Sequence, residues 1–317
     1  MKLHTNNKLF GETIRATSNS TGIKAEFVEK DYWITLVLSQ LSKSNYAGQA
    51  VFKGGTSLSK GYGLINRFSE DVDIAIIDTK NKSGNVIKNL IKNIEKKMTS
   101  GLNEKQVEEV SSKGSRFRKS VFEYPDINTA KVSNTIIVEI NSFANSVPFQ
   151  KLIIKSFIYD FFKQTNNENY VEQYSLQPFE INTLNKEQTM MEKLVSLIRF
   201  SFAENAIESI ASRIRHFYDL YFLISDKECN DFLKSSDFKK QFKELIKHDK
   251  ELFDIPAGWA ERELNESPLI ADFDNTWNQL KNTYKTELSA FAYSQIPDEK
   301  QILKKFKDFI EIVKVLR

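Results

Sequence analysis

The chain of 317 residues has a single cysteine, Cys229, so it can form no internal disulfide. Its three histidines, His4, His216 and His248, are scattered, and with no cysteine cluster beside them a zinc site is not expected. No apolar run approaches the ~20 residues a helix needs to cross a bilayer. The N-terminal stretch MKLHTNNKLF also lacks the apolar core of a secretory signal. A cytoplasmic protein with no membrane partner is therefore expected. An excess of one charge is missing too. Forty-five Lys and Arg against 42 Asp and Glu leave a net charge of +3, which excludes a strongly basic tail but permits a local basic groove. Internal repeats and low-complexity segments are likewise absent.

Apolar bulk is plentiful. Hydrophobic residues make up 40% of the chain and 24 phenylalanines can fill a sizeable core. In residues 24–43, Phe27, Tyr32, Trp33, Leu36 and Leu41 follow near-helical spacing. Residues 72–77, rich in branched side chains, read as a strand, and so do residues 134–143. Residues 84–99 read as a basic amphipathic helix, with Val86, Ile87, Leu90, Ile91 and Ile94 against Lys88, Lys92, Lys96 and Lys97. Residues 106–124 suggest a strand pair around a Lys-Gly turn. From about Gln188 onward every apolar pattern is helical. The expectation is an α+β first half and an all-helical second half, with the boundary in the polar, turn-rich stretch near residues 165–185.

The chemistry concentrates between Phe52 and Asp78, in FKGGTSLSKGYGLINRFSEDVDIAIID. On a strand, Asp71 and Asp73 point to one face. Two carboxylates on one face repel unless a cation sits between them, and hard oxygen ligands suit Mg²⁺. Upstream, Gly54, Gly55, Thr56 and Ser57 offer a tight turn whose backbone N–H groups and hydroxyls suit a phosphate. If residues 58–62 open a helix, its N-terminus faces the same anion. A D-x-D pair alone is most often a solvated surface feature, and a G-G-[TS] alone is usually just a turn. Glycines, then hydroxyls, then an acidic pair opening a branched strand form a more specific pattern, suited to phosphoryl or nucleotidyl transfer.

K-G-G-T-S-L-x-K followed by R-F-S-E-D-[VI]-D resembles the AbiEii-type nucleotidyltransferases. These include toxins of type IV toxin–antitoxin and abortive-infection systems and belong to the DNA polymerase β-like superfamily. EKDYW at residues 29–33, EKLVSLIRF at 192–200 and RHFYDLY at 215–221 are similar to further motifs of that family, so the resemblance spans roughly residues 25–225. The spacing from the second glycine to Asp71 is longer than in many polymerase β relatives but suits this family. The resemblance implies a polymerase β-like mixed sheet with flanking helices over residues 1–170. A helical domain over 171–317 would complete the active-site cleft.

It also implies a reaction: transfer of NMP from an NTP to an acceptor hydroxyl with Mg²⁺ or Mn²⁺. The implied acceptor is the 3′ end of tRNA, and the implied role a phage-defence toxin restrained by a separate antitoxin. Two rivals are a transferase acting on a protein or a small molecule such as an antibiotic, and a non-catalytic nucleotide- or partner-binding module.

The superfamily expects a third carboxylate on a neighbouring strand. Glu139 is the first candidate, as metal ligand or activator of the acceptor hydroxyl; its alternative is an outward-facing strand residue sharing a face with Ile137 and Asn141. Glu123 and Asp126 are weaker candidates. Lys193 borders an apolar helical stripe. The family uses such a lysine to hold the triphosphate, whereas an ordinary lysine would snorkel over apolar contacts. Asp219, set among aromatics, needs a partner, for which Lys193, Arg213 and Arg215 are available. It either supports the lysine or locks two helices. Lys53 joins the glycine turn as a nucleotide contact, and Ser69 is assigned to a phosphate or a metal-bound water. Arg67 steadies triphosphate charge or pairs with Glu70. No metal-binding role is assigned to His216. A basic path for RNA has two sources. One is the lysine helix; the other is Lys113, Arg116, Arg118 and Lys119 near the hairpin, with Phe117 and Tyr124 for stacking.

Overall fold

The computed structural model describes the chain except residues 78, 80–81, 109, 126–133 and 315–317. Asp126 therefore lies outside the described residues. The chain divides into two compact units: Met1–Gly63 with Phe68–Asn185, and Leu64–Arg67 with Lys186–Arg317.

The first unit is built on a mixed sheet. Its strands are β1 (Ala50–Lys53), β2 (Asp71–Ile76), β3 (Asn103–Lys105), β4 (Ser112–Lys113), β5 (Phe117–Glu123), β6 (Thr135–Asn141), β7 (Phe149–Ile154) and β8 (Phe179–Leu184). They lie in the order β3-β5-β6-β2-β1-β8-β7, with β4 pairing β5. β1 and β2 are antiparallel, while β2 runs parallel to β6 and β1 parallel to β8. The strands expected over residues 72–77 and 134–143 are β2 and β6. The hairpin expected around the Lys-Gly turn is β4–β5, which pairs Lys113 with Arg118. The polar stretch 165–185 is not a bare linker. It carries β8, and pairing of β8 with both β1 and β7 keeps the chain in the first unit as far as Asn185.

The unit's helices are α1 (Asn7–Thr21), α2 (Ala25–Ser42), α3 (Gly54–Lys60), α4 (Gly84–Met98), α5 (Phe157–Gln164) and α6 (Glu168–Gln173). α2 is buried on nearly every side, its charged and hydroxyl residues included. Trp33 stacks on Tyr124 at 5.2 Å between centroids, and Phe10 packs on Tyr32 at 4.6 Å. α4 is amphipathic: Ile87, Leu90, Ile91, Ile94 and Met98 are buried, and Lys88, Lys92, Lys96 and Lys97 are exposed, but Val86, expected on the apolar face, is exposed in the first turn.

Charged residues also enter this core. Glu29, Lys30 and Asp31 on α2 are all buried. Asp31 is paired with Lys60 at the end of α3, and it accepts a hydrogen bond from the Phe157 backbone N–H at 2.9 Å. Burial pushes the Asp31 carboxyl up from its ordinary value against the pull of Lys60.

The second unit carries α7 (Lys186–Phe200), α8 (Ala206–Ala211), α9 (Arg215–Ser225), α10 (Lys227–Leu233), α11 (Ser236–Leu252), α12 (Pro268–Ala271), α13 (Phe273–Phe291) and α14 (Glu299–Lys314). Its core is aromatic, with Phe217 packed against Phe306 at 4.8 Å and Trp277 at 5.3 Å.

Removing one partner of a buried ion pair costs far more than removing both. Lys60→Met should destabilise the protein by about 3 kcal/mol or more by leaving Asp31 charged and buried. Adding Asp31→Asn should recover much of that loss. Urea denaturation of the two variants measures both, and equal losses would contradict a desolvated pair.

Candidate active site

Strand register builds the centre of the site. β2 pairs Asp73 with Lys53 of β1 and with Glu139 of β6, and β5 pairs Lys119 with Glu139. Residues paired directly across strands point to one face. Lys119, Glu139, Asp73 and Lys53 thus form one row across the sheet, and all are partly exposed. Asp71 lies on the same face one pleat along, beside Ile137. The row reads plus, minus, minus, plus. Lys119 Nζ lies 3.6 Å from Glu139 Oε2. Burial pushes the Glu139 carboxyl up, Lys119 and Lys53 oppose the rise, and Asp71 adds to it.

The glycine turn lies directly under the acidic pair. β1 ends at Lys53 and α3 begins at Gly54, earlier than the expected helix start near residue 58. Gly54 has φ +78°, and a Cβ placed there would overlap the Asp73 carboxylate. Backbone conformation and space both demand glycine. The hydroxyls depart from the expectation of phosphate donors. Thr56 and Ser57 are buried. Thr56 Oγ1 donates to the Asp71 carbonyl at 2.5 Å, and Ser57 Oγ donates to the Gly54 carbonyl at 2.8 Å. Their protons fix the turn and the start of β2.

The opposite face of the sheet anchors the same segment. Alternation turns Glu70 away from Asp71, and Glu70 is paired with Lys30 of α2. The pair the structure shows for Glu70 is with this lysine, while Arg67 is held by Asp219. Lys30, Asp31 and Lys60 were not assigned roles from the sequence. The available signal was EKD, a run of charges inside an otherwise apolar helix.

In the second unit, Asp219 has no exposed side-chain surface and holds two cations. Arg67 is bidentate on it, Nε to Oδ1 at 2.7 Å and Nη2 to Oδ2 at 2.6 Å. Lys193 Nζ lies 2.9 Å from Oδ2. Burial alone would raise the Asp219 carboxyl; Arg67 and Lys193 reverse this and hold it well below the usual carboxylate range. Arg213 and Arg215 instead lie over the rings of Phe200 and Phe291. His216 is held neutral, first by burial and then by the Lys193 charge.

The hairpin cations are largely spoken for. Arg118 pairs with Glu95 of α4, and Lys113 with Glu104 at 2.7 Å. Tyr124 is 4% exposed, which removes it as a stacking surface.

The chain matches, over residues 36–311, the family described as nucleotidyl transferase AbiEii toxin, type IV TA system. The chain belongs to the AbiEii family. It is a nucleotidyltransferase toxin of a type IV toxin–antitoxin system, which implies an NTP substrate and an antitoxin partner. Among solved structures it is similar to MenT4, a nucleotidyltransferase toxin from Mycobacterium tuberculosis H37Rv. That likeness has a TM-score of 0.51 at 16% identity, covering 98% of this chain and 99% of that one, and it supports the fold. No curated protein matches.

AbiEii-family chemistry generally uses a divalent metal. Asp71 and Asp73 fit such an ion as a pair of hard oxygen donors on one open face. Among the described residues, no three acidic, histidine or cysteine side chains gather as a metal cage. Glu139, expected as a third ligand, has its carboxylate turned toward Lys119. No described helix is long and apolar enough to cross a membrane.

Gly54→Ala should destabilise the protein by about 1 kcal/mol or more and displace the Asp73 carboxylate, abolishing transfer. Thermal melting with an activity assay checks this, and an active, stable variant would refute the close approach. A second expectation concerns pH. His216 has a depressed pKa in the folded state, so between that value and about 6.5 the unfolded chain binds more protons. Stability should therefore fall as pH drops below about 6.5, and His216→Asn should flatten that fall. Melting temperatures across pH 5 to 8 test it, and an unchanged slope in the variant would assign the loss to other groups.

Proposed function

We propose that the protein transfers a nucleoside monophosphate from an NTP to an acceptor hydroxyl, that of a tRNA 3′ end, as a defence toxin restrained by its antitoxin. The observation that carries this reading is the acidic pair on one strand face with Gly54 wedged beneath Asp73. Asp71 and Asp73 would hold Mg²⁺ or Mn²⁺, which when bound neutralises charge developing on the phosphates. The partly exposed backbone of Gly54 would meet the phosphates, with Lys53 beside it and buried Gly55 shaping the turn behind it; Ser69 is assigned to the same end. Glu139 accepts the proton of the attacking hydroxyl, and burial raises its affinity for that proton. Lys119 orients it. Lys193 contacts the triphosphate, as the family resemblance implies, and Asp219 holds Lys193 and Arg67 in place. Arg67 is thereby a structural partner in this reading.

Incubation with each labelled NTP, Mg²⁺ or Mn²⁺, and total cellular RNA and protein should label the RNA. Label found only in protein would overturn the acceptor assignment. Asp71→Ala and Asp73→Ala should abolish transfer and leave the fold intact, since both residues are partly exposed. Near-wild-type transfer by either purified variant would sink the metal-pair assignment. Lys193→Ala should lower the melting temperature, since it removes one partner of buried Asp219, and in the protein that remains folded should raise KM for the NTP about tenfold or more; Lys193→Arg should not restore KM, because a planar fork replaces a compact ammonium.

A further inference from the structure

Phe117 opens β5 and pairs with Asn141, one pleat from the Lys119–Glu139 pair. It therefore shares the face of Glu139 and Asp73, about 7 Å along the strand from that row. Its ring lies against Phe143, centroids 6.1 Å apart and planes 27° apart. Both rings are partly exposed, whereas Tyr32, Trp33, Phe52 and Phe217 are fully withdrawn into the two cores. Arg116, the preceding residue, is exposed.

We propose that the Phe117–Phe143 pair is a stacking platform for the terminal base of a polynucleotide acceptor. The inference rests on the nucleotidyl-transfer reading and names the acceptor's contact within that site. In-line displacement puts the attacking hydroxyl and the departing pyrophosphate on opposite sides of the reacting phosphorus. Gly54 and Lys53 place the phosphates toward β1. The attacking hydroxyl must then arrive from the β6–β5 side. The groups met along that approach are Glu139, Lys119 and then Phe117. A flat, half-open aromatic face accepts a planar base of any identity. Lys119, on the same face one pleat along, suits the phosphodiester that joins that base to the rest of the strand.

Two measurements on the full chain test this. With a single-stranded RNA bearing a free 3′ hydroxyl, Phe117→Ala should raise KM for the RNA about tenfold and leave KM for the NTP unchanged. Phe117→Trp should match wild type, while Phe117→Leu, which keeps apolar bulk without a π face, should behave as Phe117→Ala. A merely structural phenylalanine would make leucine the better replacement, and that result overturns the proposal. Second, Trp33, Trp259 and Trp277 are buried, so a tryptophan at 117 is the exposed emitter. RNA added without NTP should quench Phe117→Trp fluorescence more than wild type. Quenching in a protein that labels no RNA would retain base stacking at Phe117 and reject RNA as the acceptor. Labelling of RNA by wild type with no quenching of the variant would retain the reading and reject the platform.

Discussion

Everything at the candidate site follows from one constraint: two like charges, Asp71 and Asp73, must share a strand face without repelling the strand out of the sheet. Strand register meets that constraint. Asp73 lies directly between Lys53 and Glu139, and Glu139 directly between Asp73 and Lys119. The negative centre is thus flanked by a lysine on each side. A one-residue slip of β2 would turn both carboxylates toward the apolar face and expose Val72 and Ile74 instead. Burial of Val72 and Ile74 on one side therefore fixes the positions of Asp71 and Asp73 on the other.

The segment before Asp71 is held in each unit separately. The chain passes from Gly63 into Leu64–Arg67, which belong to the second unit, and returns at Phe68. Arg67 is bidentate on fully buried Asp219, the Asn66 N–H donates to Tyr218 Oη at 3.3 Å, and Arg67 bridges to Ala292. Phe68, back in the first unit, stacks on Phe27 at 4.7 Å, and Glu70 pairs with Lys30. An arginine fork gives direction as well as charge, so Asp219 fixes the geometry of Arg67 while also neutralising it.

Much of this was legible in the sequence because it is local. The alternation that puts Asp71 and Asp73 on one face is a property of a strand of branched residues, and the periodicity of α2, α4 and the helical half follows from spacing alone. Glu139 could be picked out as a lone charge in an apolar strand, but its register with Asp73 could not, since pairing is a long-range outcome. The hydroxyls of Thr56 and Ser57 show a related limit. A hydroxyl after a glycine turn looks available to a phosphate until a neighbouring backbone carbonyl takes its proton, and the Asp71 carbonyl lies fifteen residues further along the chain. Arg67 illustrates the same limit. Its nearest acid in sequence is Glu70, but its partner in space is Asp219, 152 residues away.

The division of labour between the two faces of β2 explains why so many charges are buried in the first unit. A carboxylate that binds a metal or moves a proton must stay partly wet, and a wet strand end is held weakly by its own side chains. Lys30 and Asp31 supply rigidity from the dry side, through Glu70 on one hand and Lys60 of the glycine-turn helix on the other. Buried ion pairs add little net stability compared with apolar packing, yet each is strict about where its partner lies. Helix α2 thus sets, from behind, the two segments that carry Gly54 and Asp71, and leaves their front open. The open front continues onto β5, where the half-exposed Phe117 lies next to the charged row.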